Sequence, residues 1–204
     1  MGGSNDLAYW KWRAMKYRKR SVLNLGHAES EIEAVTRRQK QEIFPHFRKM
    51  LLGHESLLLD FGCGSGRFTA DLAATIGGQA IGVDPVETLI KIAPIAPNVE
   101  YRVLESPMLP FPDNHFDIVW VCLVLGGMNG NAIEQSAAEI KRVLRLNGLL
   151  FLIENTSNKP DVIHWRYRQM DEYQQWFPFV KLLHLHDYHD LDERISLLAG
   201  RRVV

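Results

Sequence analysis

From Ser56 onward, short apolar runs alternate with segments whose apolar residues recur at helical spacing. Ser56-Leu57-Leu58-Leu59-Asp60-Phe61 stops at a glycine cluster, as a buried parallel strand would. Arg67 to Ile76 predicts a helix ended by Gly77-Gly78, and Gln79 to Asp84 a second strand. A helix from about Val86 to Ile95 precedes a third strand, Val99 to Val103. The turn-rich Pro110 to Asn114 introduces a fourth strand, Phe116 to Cys122. Ala132 to Leu144 places Ile133, Ala137, Ile140 and Leu144 on one helical face; Asn147-Gly148 is a stop, and Leu149 to Ile153 a fifth strand. Such alternation specifies an α/β fold with a mostly parallel sheet. Residues 155–177 form an aromatic insert, expected to be helical from Asp161 onward. Two last strands, Phe179–Leu185 and Arg194–Leu198, have no helix between them and predict an antiparallel hairpin at the sheet's edge. Upstream lie a helix over roughly 6–19 and a second beginning near Ser30. There Ser30-Glu31-Ile32-Glu33 has capping-box spacing, and Ile32, Val35, Ile43 and Phe47 form the stripe. Pro45 is expected to kink or divide this helix.

Length changes the picture little: 204 residues suit one domain with a small addition, here an N-terminal helical head (1–50) on a core (51–204) with 155–177 as a lid. No apolar run is long enough to span a bilayer, and the first residues lack the apolar stretch of a secretory signal. Cys63 and Cys122 are too few for a disulfide framework or a cysteine zinc site, so a cytoplasmic setting is expected. Charge is more informative. The formal net charge is zero, yet residues 1–50 hold eleven Lys and Arg against five Asp and Glu, so a surplus of six positive charges faces a core with six negative. The surplus concentrates in Lys11, Arg13, Lys16, Arg18, Lys19 and Arg20, interleaved with Tyr9, Trp10, Trp12 and Tyr17. Two readings stay open: a phosphate- or nucleic-acid-facing helix, and an amphipathic helix with aromatics on the core and charges in solvent. The neutral total weighs against bulk nucleic-acid binding.

Leu57 to Arg67 carries the chemistry. Glycines at alternate positions after a strand permit a sharp turn and a close approach of ligand to backbone. The loop opens onto a helix N-terminus, which favours an anion. Asp84, eighteen residues beyond Gly66, ends the second strand, where a carboxylate accepts hydrogen bonds from ribose hydroxyls. A dinucleotide site is the rival, but its fingerprint is G-x-G-x-x-G and this loop reads G-x-G-x-G. Asp60 just before the loop is badly placed beside a pyrophosphate and well placed for a cationic amino group.

Leu58-Leu59-Asp60-Phe61-Gly62-Cys63-Gly64-Ser65-Gly66 resembles the first motif of the class I S-adenosylmethionine-dependent methyltransferases. Ile81 to Pro85, Leu109 to Val119, Ala138 to Leu150 and Ser196 to Arg202 resemble four further blocks of that family, in order, over about residues 40–204. The turn usually reads Pro-Gly where this chain has Asn147-Gly148. The resemblance implies a Rossmann-like, seven-stranded, mostly parallel sheet with an antiparallel last strand and helices on both faces. It implies S-adenosyl-L-methionine as cofactor and S-adenosyl-L-homocysteine as product. By matching position, Gly62, Cys63 and Gly64 pass the methionine part, Asp60 holds its amino group, and Asp84 takes the ribose hydroxyls. Pro85 and Val86 border the adenine, Glu105 and Ser106 meet its edge with Met108 nearby, and Cys122 and Leu123 line the methyl end.

Displacement at an activated methyl needs alignment and exclusion of water, and a hydroxyl acceptor also benefits from a base. Many relatives have a His after the fourth strand; Leu123 to Asn129 contains no titratable side chain. Glu154 at the end of the fifth strand and His164 in the insert are the candidate catalytic groups. Trp165, Arg168 and His186 are candidate substrate contacts, joined by Asp187 and His189, while packing of the lid is the bland alternative for His164 and Trp165. His184 and His186 would share a strand face, but no closed ligand set accompanies them and no metal is expected. The expected function is methyl transfer to O or N of a small metabolite or sugar, phosphorylated or nucleotide-linked. RNA methylation through the basic head and a non-catalytic cofactor-binding protein are the alternatives.

Overall fold

The computed structural model describes residues 3–204. Among these, seven strands form one sheet: β1 (Leu57–Phe61), β2 (Gln79–Asp84), β3 (Val99–Val103), β4 (Phe116–Cys122), β5 (Leu144–Asn155), β6 (Leu183–Asp190) and β7 (Glu193–Arg201). Their order is β3-β2-β1-β4-β5-β7-β6. β1 to β5 pair in parallel, and β7 runs antiparallel to both neighbours. The last two strands do form a hairpin, turning at Leu191-Asp192 with Leu191 at φ 55°. Of these two, β6 alone is an edge strand, because β7 slots between it and β5. β6 lies later than expected, because Phe179 and Val180 are buried under the helices instead of forming its start, and β7 contains the expected Arg194–Leu198 and extends beyond it at both ends.

Alternation along the strands divides the core between two faces. Leu59, Phe61, Val119, Val121, Leu150 and Leu152 meet helices α5 (Gly130–Val143) and α6 (Met170–Trp176). Leu58, Ile118, Trp120, Leu149 and Phe151 meet α2 (Ile32–Met50) and α3 (Thr69–Ile76). Trp120 stacks on Phe151 with ring centroids 5.1 Å apart, and Phe47 closes edge-on against both. This packing overrides the expectation at Pro45. α2 runs through it undivided, because Ile43 and Phe47 on either side are fully buried. Its start also differs from the expected capping box: a 3₁₀ turn, Glu29–Glu31, precedes it, and Glu31 rather than Glu33 accepts a backbone N–H, that of Ala28, at 2.6 Å.

The helix after β2 is a single turn, α4 (Glu87–Ile90), where a helix to Ile95 was expected. Pro94 disfavours helical geometry at Ala93, and the chain leaves the helix early. The insert is not helical from Asp161. It runs irregularly, with one isolated bridge between Val162 and Trp165, until α6 begins at Met170.

The N-terminal residues part company. α2 belongs to the sheet's layer, whereas α1 (Gly3–Tyr17) lies beyond the strand ends, packing Leu7, Trp10 and Ala14 near Val86 and Leu89. Two basic residues, one on α1 and one in the 3₁₀ turn that follows it, turn inward. Arg13 donates to the Ser21 and Leu23 carbonyls at 2.8 and 2.6 Å, and Arg20 to those of Leu25 and His27 at 2.7 and 2.9 Å. They hold an irregular segment, 21–27, against the cavity described next.

Candidate active site

At the end of β1 the chain must turn sharply. Gly62 and Cys63 both donate their N–H groups to the Val83 carbonyl, at 2.8 and 3.0 Å. Gly62 (φ 73°) and Gly64 (φ 56°) sit in the left-handed region that glycine adopts without strain. A Cβ at Gly62 would come within 2.5 Å of Val124, and one at Gly64 within 2.7 Å of Val22. The loop is therefore bare backbone pressed between the β4 loop and the 21–27 segment. Asp84 braces it, accepting from the Gly64 N–H at 3.0 Å and the Val86 N–H at 2.8 Å.

A cavity of about 880 Å³ opens above these strand ends. Asp60, Gly62, Cys63 and Gly64 line it from β1, Asp84 and Pro85 from β2, Glu105 and Ser106 from the segment after β3, and Cys122 and Leu123 from β4. Val86 lines it as well, whereas Met108 is exposed outside. Burial pushes the Asp60 carboxyl up to about 7, with the Asp84 charge adding to it, while the Thr69 hydroxyl at 2.6 Å and Arg67 oppose the rise. Burial likewise pushes Asp84 up to about 6, against the two backbone hydrogen bonds it accepts. Two buried carboxyls of this kind gain from a ligand that carries positive charge.

Residues 59–152 match the family model described as a methyltransferase domain. Together with the fold, this match supports a class I S-adenosylmethionine-dependent methyltransferase domain over those residues. It is 30% identical over 119 residues to the ubiquinone/menaquinone biosynthesis C-methyltransferase UbiE of Shewanella piezotolerans, covering 54% of this chain and 47% of that protein. The chain thus spans about half the length of the curated relatives of that name. Its fold is similar to that of a methyltransferase solved in complex with the Haloferax volcanii Trm112 methyltransferase activator. That likeness has TM-score 0.72 and 16% identity, and covers 96% of this chain and 98% of that one. It is similar also to the [4+2]-cyclase SpnF, with TM-score 0.68 and 18% identity over 98% of this chain and 94% of that one.

The methyltransferase domain's cofactor is S-adenosylmethionine, and the residues present fit it. The glycine cradle admits a ligand against the backbone, Asp84 offers a carboxylate for ribose hydroxyls, and buried Asp60 suits an ammonium group. Among the described residues, no group of three His, Cys, Asp or Glu side chains is arranged to hold a metal ion.

Beyond the residues that the motifs assign to the cofactor, the same cavity is lined by the head, the insert and the β6–β7 turn, and this part of it is called the second compartment. α1 covers it with Leu7, Tyr9 and Trp10, and the insert with His164 and Trp165. His164 lies on the wall, its ring stacked on Tyr9 at 3.8 Å and its Nδ1 3.3 Å from Asp6. Trp165 packs against Gly126 and meets Trp10 edge-on at 6.3 Å. The other candidates from sequence lie elsewhere. Glu154 is fully buried and accepts N–H groups of Val124 and Leu125 at 2.9 Å and of Gly126 at 3.4 Å. Arg168 donates to the carbonyls of Leu125 and Met128 at 2.8 and 2.7 Å. Together they hold the β4 loop from beneath and do not line the cavity. His186 is on β6 outside it, 3.1 Å from Glu42 and stacked on His46, and Asp187 and His189 are outside too. A bulge between His184 and His186 breaks the alternation on which a shared face depended.

Sequence reasoning passed over the far wall. Asp190 and Glu193 flank the β6–β7 turn and line the cavity with Asn24, Asn155 and Arg67. His27 Nε2 lies 2.7 Å from Asp190 Oδ1, and Arg38 donates to the same oxygen at 2.7 Å. Residues 21–27 have no periodicity to mark them, and their contact with the turn joins positions about 165 apart in the chain. Arg67 was visible, since it directly follows the glycine loop.

Proposed function

We propose that the chain transfers the methyl group of S-adenosylmethionine to an oxygen or nitrogen of a small molecule in the second compartment. The observation that carries this is the continuity of one cavity. The ten residues assigned to the cofactor by motif line it together with residues of α1, the insert and the β6–β7 turn. Its volume lies towards the upper end of the range of about 300–1,000 Å³ for small-ligand pockets. When bound, the cofactor supplies an electrophilic methyl on sulfur, so alignment and dryness matter more than activation. Asp60 would hold its ammonium and Asp84 its ribose, with Glu105 and Ser106 at the adenine edge. Cys122 and Leu123 would border the methyl, and Trp10, His164 and Trp165 would keep water from it. Glu154 and Arg168 act at one remove by fixing the β4 loop.

The inward turn of Arg13 and Arg20 weighs against RNA as acceptor, because both spend their donors on backbone carbonyls. Two free thiols suit a reduced compartment, and the cytoplasm is the proposed setting. No helix among the described residues is long and apolar enough to cross a membrane.

Calorimetry tests the reading first. S-adenosylmethionine and S-adenosylhomocysteine should both bind, and Asp84→Ala should weaken both at least about tenfold, a loss of ~1.4 kcal/mol. Absence of binding to either refutes the proposal. Transfer of labelled methyl then separates an enzyme from a cofactor-binding protein, since a fold hosts more than one chemistry. Label on carbon would replace the oxygen or nitrogen assignment.

A further inference from the structure

The far wall of the second compartment is polar in a particular way. Asp190 spends one oxygen, Oδ1, on both His27 and Arg38, and no protein donor reaches Oδ2 among the described residues. Glu193 accepts the Tyr167 hydroxyl at 2.7 Å on one oxygen and the Asn24 amide at 3.1 Å on the other. An ionised carboxylate has about four acceptor sites, so both retain capacity. Arg67 lines the same cavity, and its one engaged nitrogen, Nη1, donates to the neutral Thr36 hydroxyl and Gln39 carbonyl at 3.1 and 2.8 Å. The Trp10 and Trp165 rings supply apolar surface to the compartment.

We propose that this compartment takes a sugar ring as methyl acceptor, bound through its hydroxyls to Asp190, Glu193 and Arg67, with Asp190 receiving the proton of the methylated hydroxyl. This rests on the methyl-transfer reading and names its substrate class. Hydroxyls both donate and accept, which matches carboxylates facing a guanidinium. A quinone carbonyl only accepts and would leave the remaining acceptor capacity of Asp190 and Glu193 unused. A cationic amine would meet Arg67, and an anion would meet the two acids. The C–H face of a sugar also suits an indole surface. In the step itself, the hydroxyl oxygen's lone pair forms the bond to the methyl carbon. The carbon–sulfur bond breaks with its electron pair remaining on sulfur, and the hydroxyl proton passes to Asp190 Oδ2 and thence to water. An alkylated hydroxyl becomes strongly acidic as the new bond forms, and an acceptor held in place removes its proton before positive charge builds up on oxygen. His27 is a positioning residue that orients Asp190 from behind.

The experiment offers the full chain methyl-labelled S-adenosylmethionine with a panel of nucleotide sugars, free hexoses, catechol, hydroquinone and primary amines. Label should appear on a sugar. Asp190→Asn should lower kcat about 100-fold or more with KM within about threefold and S-adenosylhomocysteine affinity unchanged. Glu193→Gln should raise KM about tenfold at unchanged kcat. His27→Gln, which keeps a donor, should retain most of the activity that His27→Ala loses. Arg38 is half-exposed and can turn to water when its partner is neutral, so Asp190→Asn should fold. Should that variant fail to hold S-adenosylhomocysteine, the Glu193→Gln and His27 pairs decide. Label only on phenols or amines overturns the proposal, as does an unlabelled panel, or wild-type kcat in Asp190→Asn. Failure of wild-type protein to bind S-adenosylhomocysteine instead refutes the methyl-transfer reading beneath it.

Discussion

Asp60 faces the cavity with its carboxyl pushed up to about 7 by burial, and Asp84 follows at about 6. If the ionised forms bind the cofactor, affinity must fall as pH drops through these values. S-adenosylmethionine should bind about tenfold more weakly at pH 6 than at pH 8, and calorimetry in buffers of different ionisation enthalpy should register proton release near neutrality. The sign for stability is opposite. A carboxyl whose value is raised on folding favours the folded state below its unfolded value near 4, and that contribution is lost as pH rises towards 7. Asp60→Asn should therefore raise the melting temperature of the ligand-free protein at pH 8 by a few degrees, about 2–4 °C per kcal/mol for a chain of this size, while weakening cofactor binding. Asp60 and Asp84 were legible in the sequence because both sit next to their strand ends. Their elevated values were not, since burial depends on segments far along the chain.

Glu154 shows how an element's position can mislead. It lies one residue from the end of β5, on the side of the sheet where ligands of such folds bind, yet its carboxylate is consumed by three backbone N–H groups of the β4 loop. Burial pushes it up to about 7, against those amides and Arg168. Glu154→Ala would orphan buried donors and should cost about 2–4 kcal/mol, read as a fall in chemical-denaturation midpoint. Glu154→Gln should recover part of that stability, which a catalytic acid or base would not do for turnover. The 21–27 segment is the second latch. Arg20→Ala frees the Leu25 and His27 carbonyls and should open this segment to limited proteolysis before the rest of the chain. From sequence the head's arginines were candidates for solvent or phosphate. Only the fold shows that two of them face inward, because their acceptors are carbonyls in a stretch without periodic pattern.

The whole molecule closes its cavity with parts drawn from both ends of the chain. The basic head and the acidic core meet there in Arg38 with Asp190. Lys40 also pairs with Asp71. The zero net charge is thus two opposite pools in partial contact. Because the cofactor would contact four strand ends at once, its binding should stabilise the whole fold. S-adenosylhomocysteine at 100 times its dissociation constant should add about 2.7 kcal/mol, or roughly 5–10 °C in melting temperature. Asp84→Ala, with affinity about tenfold lower, should show about half of that shift at the same concentration, ~1.4 kcal/mol.

What the amino-acid order determined alone is whatever acts between near neighbours. Strand and helix periods, the left-handed glycines after β1, and carboxylates one residue from a strand end all declare themselves within a few positions. The sheet order, the shared lining of the cavity, the consumption of Glu154 and Arg168 by one loop, and the His27–Asp190–Arg38 cluster join residues 30 to 160 positions apart. Pairings at that separation leave no local period or turn signal, and they form only when burial of the two apolar faces brings the strand ends, the head and the insert together.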